Sequence, residues 1–441
     1  MVRPAVLSLL AATLVAGAPA AAQQRGALAD DIDRLVSQVN AKVVAWRRDL
    51  HEHPELGNRE FRTAELVAEH LRGLGMEVRT GVAHTGVVGV LRGGRPGPTV
   101  ALRADMDALP VTEMVDLPFA SKVRTEYNGQ EVGVMHACGH DNHVAILMGA
   151  AEVLSSLRDR LPGTVLFLFQ PAEEGAPEGE EGGADLMLEE GAFADPRPDA
   201  IFGLHVWPTP VGALTYRPMG AMAASDALYI KVVGKQTHGA LPWGGVDPIV
   251  VASQVVLGLQ TIVSRQTDIT KGPAVVTLGT IHGGVRGNII PDSVVMVGTI
   301  RTFDEETQRG VHERIRRTAE QIAAAGGAEA VVRISQVGNP VTFNDPALTR
   351  WALPTLERAA GADAVSESVP ITGAEDFSYY QKEVPGLFFF LGITPEGREP
   401  VPNHSPLFYA DEGALPVGVR ALAGLAADYL LDRARGVSQE D

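Results

Sequence analysis

A short segment of the sequence concentrates side chains that commonly bind metals. Residues 136–143 read HACGHDNH, and Cys138 is the only cysteine among the 441 residues. One glycine separates Cys138 from His140, and it permits the sharp backbone path that would let a thiolate and an imidazole bind at one metal site. This pair alone is a weak signal, because a lone cysteine can also be a buried apolar side chain or a reactive free thiol. His136 and His143 are more readily explained as groups that pack beside or orient ligands.

Two pairs of carboxylates follow apolar runs that read as strands. Asp105 and Asp107, in RADMDALP, are two residues apart, so both side chains can point to the same side of an extended segment. Each could bind a metal or orient a histidine, and each could instead be a surface aspartate in a turn. Glu173 and Glu174, in QPAEEG, are adjacent, so an extended segment would let one bind a cation while the other faces a water as general base. Without a cation or a proton, such a pair is costly after a buried strand.

Two isolated histidines complete the set of donors. His205, in GLHVWP, stands at the end of an apolar run, and His404, in NHSP, lies on a proline-rich segment. Each alone is more often a hydrogen-bonded structural histidine than a ligand. Together with Cys138, His140 and Glu174 they exceed what one tetrahedral zinc ion needs. The set therefore indicates two metal ions with a shared ligand and a shared water, and a thiolate is able to bridge.

The elements that must position these residues alternate between apolar strands and helices. Buried strands are predicted by continuous apolar runs at 87–92, 99–105, 163–170, 199–206 and 388–393. Helices are predicted at 29–50, 61–74, from 141, at 182–190 and at 412–433. This alternation is typical of an α/β sheet covered on both faces. The carboxyl ends of strands in such sheets are where ligands bind.

The pattern of elements changes between residues 218 and 334. Strands are predicted at 228–234, 274–281, 293–302 and 328–335, and helices at 247–265 and 304–325. The order β-α-β-β-α-β is that of a ferredoxin-like sandwich. We therefore predict a catalytic domain made of residues 23–217 and 335–441, with residues 218–334 as an inserted α+β domain.

Composition and charge limit the classes of partner. Hydrophobic residues make up 45% of the chain, which is enough for sizeable cores. The formal net charge of −17 is spread along the sequence rather than gathered in a tail. It argues against nucleic acid and anionic membrane surfaces as partners.

The N-terminal residues have the pattern of a secretory signal. Arg3 precedes an apolar run from Ala5 to about Ala16, and small residues end at Ala22. The run is too short for a membrane span. We expect residues 1–22 to be removed and the protein to be periplasmic or secreted, with an alanine-rich tail as the alternative reading.

These motifs, in this order, resemble the M20 metallopeptidase family, and most closely its amidohydrolase branch of hippurate hydrolases, aminoacylases and auxin-conjugate hydrolases. The similarity covers essentially the whole mature chain, through LHEHPELG, RADMDALP, MHACGHDNH, QPAEEG, GLHVWP, THGALPWGGVDP, GNIIPD, TGAEDFSYY and NHSP. Each motif alone is weak evidence for this family, but the nine motifs in this order are specific to it. The resemblance implies a zinc-peptidase-like catalytic domain, a mixed sheet flanked by helices, with the inserted domain acting as a lid and dimerisation domain.

The resemblance also implies the ligands of a dinuclear site, and its mixture of thiolate, imidazole and carboxylate donors allows zinc, manganese, cobalt or nickel ions. The implied ligands are Cys138, His140, Glu174, His205 and His404. Cys138 stands where many M20 enzymes have a bridging aspartate. Those relatives carry a His-x-Asp motif where this chain has Asp105-Met106-Asp107, so His140 is implied to replace the missing histidine. Asp107 is carried over as a group that orients a ligand.

Other roles follow from the resemblance alone. Glu173 is implied as the general base, which takes a proton from the metal-activated water and returns it to the leaving nitrogen. His238, in the inserted domain, is implied to reach the substrate carbonyl, often from the neighbouring subunit of a dimer. Asn288, Arg301 and Gly373 match positions that hold the substrate carboxylate or backbone. The histidines of LHEHPELG, His51 and His53, are interpreted as structural.

The leading hypothesis is an exported, metal-dependent amidohydrolase that cleaves N-acyl or N-aroyl amino acids. A dipeptidase or carboxypeptidase with the same site is the alternative, because pocket shape cannot be read from motif spacing. An N-acetyl-diaminopimelate deacetylase agrees less well with an export signal. A non-catalytic periplasmic metal- or peptide-binding protein belongs to a different class, and a pure binder would not need Glu173 as a base beside the ligand Glu174.

Overall fold

The computed structural model describes residues 17–335 and 338–437. Residues 1–16 of the predicted signal segment lie outside the described residues, and the rest of that segment begins the first helix. The helices are α1 (Gly17–Glu52), α2 (Phe61–Gly73), α3 (His140–Ser156), α4 (Gly183–Glu189), α5 (Pro248–Thr261), α6 (Glu305–Ala325), α7 (Pro346–Ala360), α8 (Phe377–Glu383) and α9 (Leu415–Val437).

The strands form one large sheet, one smaller sheet and three two-stranded pairs in the described chain. They are β1 (Glu77–Val82), β2 (Gly86–Arg92), β3 (Arg95–Asp105), β4 (Arg124–Tyr127), β5 (Gln130–Gly133), β6 (Pro162–Gln170), β7 (Ala200–Pro210), β8 (Leu214–Tyr216), β9 (Met219–Met222), β10 (Ala224–Val233), β11 (Thr237–His238), β12 (Ala274–Gly283), β13 (Ile289–Ile290), β14 (Ser293–Thr302), β15 (Glu329–Ser335), β16 (Thr342–Asn344), β17 (Val365–Glu367) and β18 (Gly386–Thr394).

The large sheet has the strand order β1-β2-β6-β3-β7-β18-β8-β17. Its centre is parallel, because β3 pairs in parallel with β6 and β7, and β18 with β7. Along β6, Phe167 and Phe169 join the core under α1, α3 and α9, while Leu166 and Leu168 join the core under α4 and α8. Burial on both faces explains the continuous apolar runs of these strands. The predicted mixed sheet covered by helices on both faces is confirmed.

The smaller sheet lies between β8 and β17 in the chain and has its own core. Its order is β12-β14-β10-β15, with every neighbouring pair antiparallel. Strand β10 alternates buried and half-buried residues, because α5 and α6 cover one of its faces. Helix α5 begins where Asp247 accepts the Ile249 N–H at 2.9 Å and Pro248 occupies the first helical position. The predicted order of elements is found, and the boundaries at 218 and 334 stay a prediction.

Two helical segments are long and apolar enough to cross a membrane by length and composition, Pro248–Gln266 and Glu412–Ala434. The second is largely buried, since α9 packs against α1, α3 and strand β3. The first packs one face on the smaller sheet. The second segment packs as a core helix does, whereas the first is covered on one face only, and two such helices are weak evidence for a membrane span.

Candidate metal centre

The candidate ligands lie at the carboxyl ends of β3, β6 and β7. Strand β3 ends at Asp105, β6 is followed by Glu173 and Glu174, and His205 lies within β7. Because these strands are parallel neighbours, their carboxyl ends meet at one edge of the sheet. Helix α3 begins at the same edge with His140.

His205 presents one ring nitrogen to Cys138. Its Nδ1 lies 2.7 Å from the Val206 carbonyl oxygen, so Nδ1 carries the proton and donates it, and Nε2 keeps a free lone pair. That Nε2 lies 3.4 Å from the Cys138 Sγ. The adjoining Gly139 has φ of 89°, and a Cβ there would lie 2.4 Å from the Val206 side chain. Only glycine therefore allows the thiol to approach strand β7 this closely.

His140 is oriented in the same manner by Asp107. Its Nδ1 lies 3.2 Å from the Asp107 Oδ1, and the other oxygen of Asp107 accepts the Glu174 N–H at 2.9 Å. Among the described residues, the Nε2 of His140 is buried without a hydrogen-bond partner, and it lies 3.9 Å from the Glu173 carboxylate. Burial opposes a charge on His140, but Asp105 and Asp107 outweigh it and raise its pKa to about 10. An orphaned, buried ring nitrogen among carboxylates is what a metal ligand needs.

His404 lies on a loop near the end of the chain and completes the cluster of candidate ligands, which also contains Cys138, His140, Glu174 and His205. Its Nε2 lies 3.0 Å from the Glu174 Oε1. Two hydrogen bonds fix the loop to the Cys138 segment: the His404 N–H donates to the Ala137 carbonyl at 2.8 Å, and the Asn403 side chain donates to the Cys138 carbonyl at 3.1 Å. The left-handed backbone of His404, with φ of 67°, aims its ring at the cluster.

The donors fall into two sets that share the thiol. Cys138, His140 and His205 form one set, and Cys138, Glu174 and His404 form the other. Within each set the ligand atoms lie within 4.8 Å of one another. Sulfur, imidazole and carboxylate donors in this arrangement fit two divalent cations with Cys138 common to both.

The pKa shifts of the buried acidic groups in the cluster indicate that bound cations would stabilise their ionised forms. Burial raises the pKa of the Cys138 thiol well above its usual range, and the charges of Glu174 and Glu173 raise it further. Burial likewise raises the pKa of Glu173, and Glu375 and Glu174 add to the shift. Cations bound between these groups would reverse both shifts, because a metal favours the thiolate and the carboxylate. The residues present therefore fit a dinuclear metal site.

A buried arginine behind the cluster was not found from the sequence. Arg103 donates to Asp105 at 2.6 Å, to Asp376 at 2.7 Å and to Gln170 at 2.9 Å, and it lies 3.0 Å from Glu375. Its hydrogen bonds and ion pairs connect β3, β6 and the start of α8 next to the candidate ligands. The only signal was a charged residue within the apolar run TVALRAD, which the sequence analysis did not interpret.

An extended QPAEEG would place its two glutamates on opposite sides, but the segment turns after β6 instead. Pro171 has no N–H to continue the ladder after β6, Ala172 is left-handed with φ of 52°, and a turn follows. The turn still separates the two glutamates. Glu174 lines a cleft of about 450 Å³, whereas Glu173 lines a different cleft of about 270 Å³.

The other histidines of HACGHDNH lie behind the ligands. His143 uses both nitrogens, since Nδ1 lies 2.5 Å from the Asp105 Oδ1 and Nε2 accepts the Val206 N–H at 2.8 Å. It therefore has no lone pair for a metal and holds β3 against β7. His136 is buried with no hydrogen-bond partner on either nitrogen, and burial lowers its pKa to about 4. Both histidines are placed where they can pack beside or orient the candidate ligands, as the sequence suggested.

The histidines of LHEHPELG lie at the end of α1. His51 is buried between Asp141, at 2.8 Å from Nδ1, and Glu113, at 3.1 Å from Nε2. His53 is exposed, and its Nδ1 lies 2.8 Å from the Asp49 carbonyl oxygen. Neither belongs to the donor sets.

The structure does not bring the predicted residues of the inserted domain into the described contacts of the cluster. His238 is exposed on the β11–β13 ribbon, and its Nδ1 accepts the Ala240 N–H at 3.0 Å, which leaves the proton on Nε2. Asn288 precedes β13 in the same ribbon, and Arg301 is half-buried on β14. Gly373 lies beside β9. Their roles in substrate binding stay predictions.

Comparison with known proteins gives consistent matches over most of the chain. Residues 101–428 match the family described as Peptidase family M20/M25/M40. Thermostable carboxypeptidase 2 of Saccharolobus solfataricus is 41% identical over 405 residues, which are 91% of this chain and 99% of that protein. N-acetyl-L-cysteine deacetylase of Bacillus subtilis is 39% identical over 381 residues, 86% of each chain. A solved Bacillus subtilis structure, described as a dinuclear metal binding peptidase from the M20 family, has a TM-score of 0.74 at 37% identity, with 89% of this chain and 99% of that chain covered.

Proposed function

The chain belongs to peptidase family M20/M25/M40, and from this membership we propose that it hydrolyses the amide bond of N-acyl and N-aroyl amino acids. As a family member it is a metal-dependent hydrolase of amide bonds with a site for two divalent ions. Its similarity to an N-acetyl-L-cysteine deacetylase supports an N-acyl amino acid as substrate. The observation that carries the proposal is the Glu173 carboxylate, which lies 3.9 Å from the orphaned His140 Nε2. Glu173 belongs to neither of the two donor sets that share Cys138, but its carboxylate lies within 4.8 Å of the donor atoms of His140 and Glu174, close enough to act on a water held there.

Each residue of the cluster has a separate part in this reaction. The ions would be held by Cys138, His140, Glu174, His205 and His404. When bound, they supply Lewis acidity at the amide carbonyl and favour ionisation of water. Glu173 takes a proton from the attacking water and returns it to the leaving nitrogen. Glu173 must be ionised before the first transfer, and bound ions would favour that form because they oppose the burial and the neighbouring carboxylates that raise its pKa.

Hydrolysis of a substrate panel by Glu173→Gln tests this assignment. The panel contains N-acetyl and N-benzoyl derivatives of several amino acids together with dipeptides, and the protein is loaded with zinc, manganese, cobalt or nickel. We expect wild-type activity on the N-acyl set and a loss of about 10²–10⁴-fold in kcat for the variant, with metal content unchanged. Glu178→Gln, at an exposed glutamate of the same segment, is the matched control and should keep full activity. A Glu173→Gln protein with wild-type kcat would remove Glu173 from the role of base.

Peptide hydrolysis is the second candidate, because a carboxypeptidase is 41% identical to this chain. The same panel separates the two activities. A kcat/KM on dipeptides or longer peptides that exceeds the values for all N-acyl amino acids would favour the peptidase over the amidohydrolase.

We further propose that the protein forms a homodimer through the inserted domain. Helix α5 exposes Leu257 at 70% and Val250 at 54%, and in the described chain β12 has only β14 as a sheet neighbour, so its other edge is open. An exposed His238 on the same domain agrees with a reach toward a neighbouring subunit. Leu257→Glu should reduce the molar mass measured by light scattering to that of a monomer, whereas Val369→Glu, at an exposed residue of the catalytic domain, should not. A wild-type monomer would exclude the dimer.

Export is proposed from the sequence pattern of residues 1–22 alone. Expression of the full chain in a Gram-negative host should give periplasmic protein whose first residue is Gln23, and a chain without residues 1–22 should remain in the cytoplasm. Full-length protein found in the cytoplasm with Met1 intact would contradict export.

A further inference from the structure

Two clefts border the candidate metal centre, and Gly175 lines both of them. The larger, of about 450 Å³, is lined by Glu174 and Asp107. The smaller, of about 270 Å³, is lined by Glu173 and Asp376. Because the turn after β6 separates the two glutamates, the ligand Glu174 belongs to one cleft and the base Glu173 to the other. The site is therefore asymmetric, and the two parts of a substrate have different surroundings.

The asymmetry orients the substrate if the proposed function holds, on which this inference rests. The base returns a proton to the leaving nitrogen, so that nitrogen must lie within reach of the Glu173 carboxylate. The amine part of the substrate then extends from the Glu173 side. The acyl part extends from the opposite side of the carbonyl carbon, toward Glu174.

The chemistry of the larger cleft suits an apolar group. Apolar side chains that line it are Leu56, Leu109, Pro110, Val123 and Val134. The outer wall is the hairpin of β4 and β5, and the inner wall is fixed where the backbones of residues 109 and 135 exchange two hydrogen bonds of 3.0 Å. The smaller cleft is polar, with acidic residues among its lining, and offers less for an apolar group.

Three charged side chains at the larger cleft are engaged by other residues, whereas Glu126 on β4 lines the cleft as an exposed carboxylate. Arg59 donates to Glu180 at 2.5 Å, and Arg124 donates to Glu131 at 2.5 Å. Glu55 accepts two backbone N–H groups at the start of α2, at 3.0 and 2.8 Å. These pairings hold three charged side chains away from a substrate group, and the side chains of Leu56, Leu109 and Val134 offer it apolar contacts.

We propose that the 450 Å³ cleft is the binding site of the acyl group and selects an aromatic or medium-length aliphatic acyl chain. The volume lies within the range of sites for small organic molecules, about 300–1,000 Å³. An acetyl group would leave most of it without contacts, so it would gain little dispersion energy there. A benzoyl or longer acyl group fills the space between the hairpin and the inner wall. Val123 and Leu109 thereby become residues that determine specificity.

A size series at Val123 tests this assignment in the metal-loaded full chain. The substrates are N-acetyl and N-benzoyl derivatives of one amino acid, and N-benzoyl derivatives of several amino acids. Val123→Phe narrows the cleft, so we expect kcat/KM on the benzoyl substrate to fall about tenfold or more, with the acetyl substrate within about twofold of wild type. Val123→Ala should not lower kcat/KM on the benzoyl substrate. Ile269→Phe, at an exposed residue of the inserted domain, is the control and should change neither.

The outcomes separate the cleft assignment from the proposed function. Equal losses on acetyl and benzoyl substrates, or losses that follow the amino acid instead of the acyl group, overturn the cleft assignment and leave the amidohydrolase intact. A wild-type protein without activity on every N-acyl amino acid overturns both. A benzoyl-specific loss in Val123→Phe, together with unchanged preferences among amino acids, supports the cleft.

Discussion

Two candidate ligand histidines, His205 in β7 and His140 at the start of α3, each use one ring nitrogen to fix the direction of the other. The Nδ1–H of His205 donates to a backbone carbonyl, and that of His140 donates to Asp107. In both, Nε2 is left as the donor atom toward the cluster. A carboxylate or carbonyl behind a metal-binding histidine sets its tautomer and increases its basicity. Asp107 is therefore a positioning residue for His140 and, through the Glu174 N–H, for the second ligand.

Asp107→Asn should weaken metal binding. The amide of asparagine has one acceptor oxygen, so it can serve either the His140 Nδ1–H or the Glu174 N–H while its NH₂ group faces the other donor. We expect metal affinity to fall about 10–100-fold, measured by competition with a chromophoric chelator. Asp116→Asn, at an exposed residue, should leave affinity unchanged. Equal affinity of Asp107→Asn and wild type would show that Asp107 does not support the ligands.

His51 should make the stability of the protein depend on pH. Burial disfavours its charge, but Asp141 and Glu113 outweigh burial and raise the pKa of His51. A histidine whose folded-state pKa is raised binds its proton more tightly when folded, so its stabilisation is complete below the unfolded pKa of about 6.5 and is lost as pH rises through the folded-state pKa. The free energy of unfolding lost in His51→Gln, measured with urea, should therefore be largest at acidic pH and decrease above about pH 6.5.

His53→Gln is the control for this pH dependence, because His53 is exposed at the same end of α1. It should change the free energy of unfolding little at any pH. A destabilisation by His51→Gln that is constant between pH 5.5 and 9 would show that His51 contributes by packing and not by charge.

Residue types and spacing predicted the candidate ligands better than the groups that support them. The structure brings Cys138, His140, Glu174, His205 and His404 together, although their roles stay predictions. Arg103 and its partners were missed because Asp376 is 273 residues away in the chain, and such a pairing leaves no local pattern. The condition considered for QPAEEG, an extended segment, is not met, because a turn after β6 places the two glutamates at different clefts.

Among the elements, those with strong periodicity were predicted best. The buried strands and the long helices are found, because continuous burial gives apolar runs and one-sided burial gives periodic ones. Helix α7 was not predicted, and it carries Pro354 in its interior, which argues against a helix in sequence terms. Short elements such as the β4–β5 hairpin were also missed, since exposed strands of 4 residues have no apolar pattern. The hairpin nevertheless forms the outer wall of the larger cleft.

Arg103 should be required for the stable packing of β3, β6 and α8 against one another. Its removal leaves Asp105, Glu375 and Asp376 buried without their cation, and breaking a buried charge pair from one side costs about 3–5 kcal/mol. We expect Arg103→Met to lower the free energy of unfolding by this amount in urea. Arg103→Lys should lower it less but measurably, because an ammonium cannot copy the planar fork that reaches several partners.

The control for Arg103 is Arg92→Met, which removes an exposed arginine paired with Glu77. A surface pair of this kind is screened by water and contributes little to the free energy of unfolding. If Arg103→Met were no less stable than Arg92→Met, the buried network would not support the sheet behind the cluster.

At the scale of the whole molecule, the metal centre exists only in the folded chain. Its donors come from the loop before α3, the turn after β6, strand β7 and a loop near residue 404, so no segment holds the site alone. The sheet edge gathers the first three, and hydrogen bonds from residues 403 and 404 to the Cys138 segment add the last. The inserted domain adds a separate core, and its predicted lid role depends on motions or a partner subunit that bring His238 toward this edge.

The most direct test of this account is the metal content of Cys138→Ser, because the central claim is that one thiolate is shared by two ions. After equilibrium dialysis at low free zinc, elemental analysis should give two zinc ions per chain for wild type. Serine has a similar shape, but its hydroxyl is a far weaker ligand than a thiolate. The variant should therefore retain at most one tightly bound ion, with its fold intact by circular dichroism. A folded Cys138→Ser protein that still holds two zinc ions as tightly as wild type would contradict the shared thiolate.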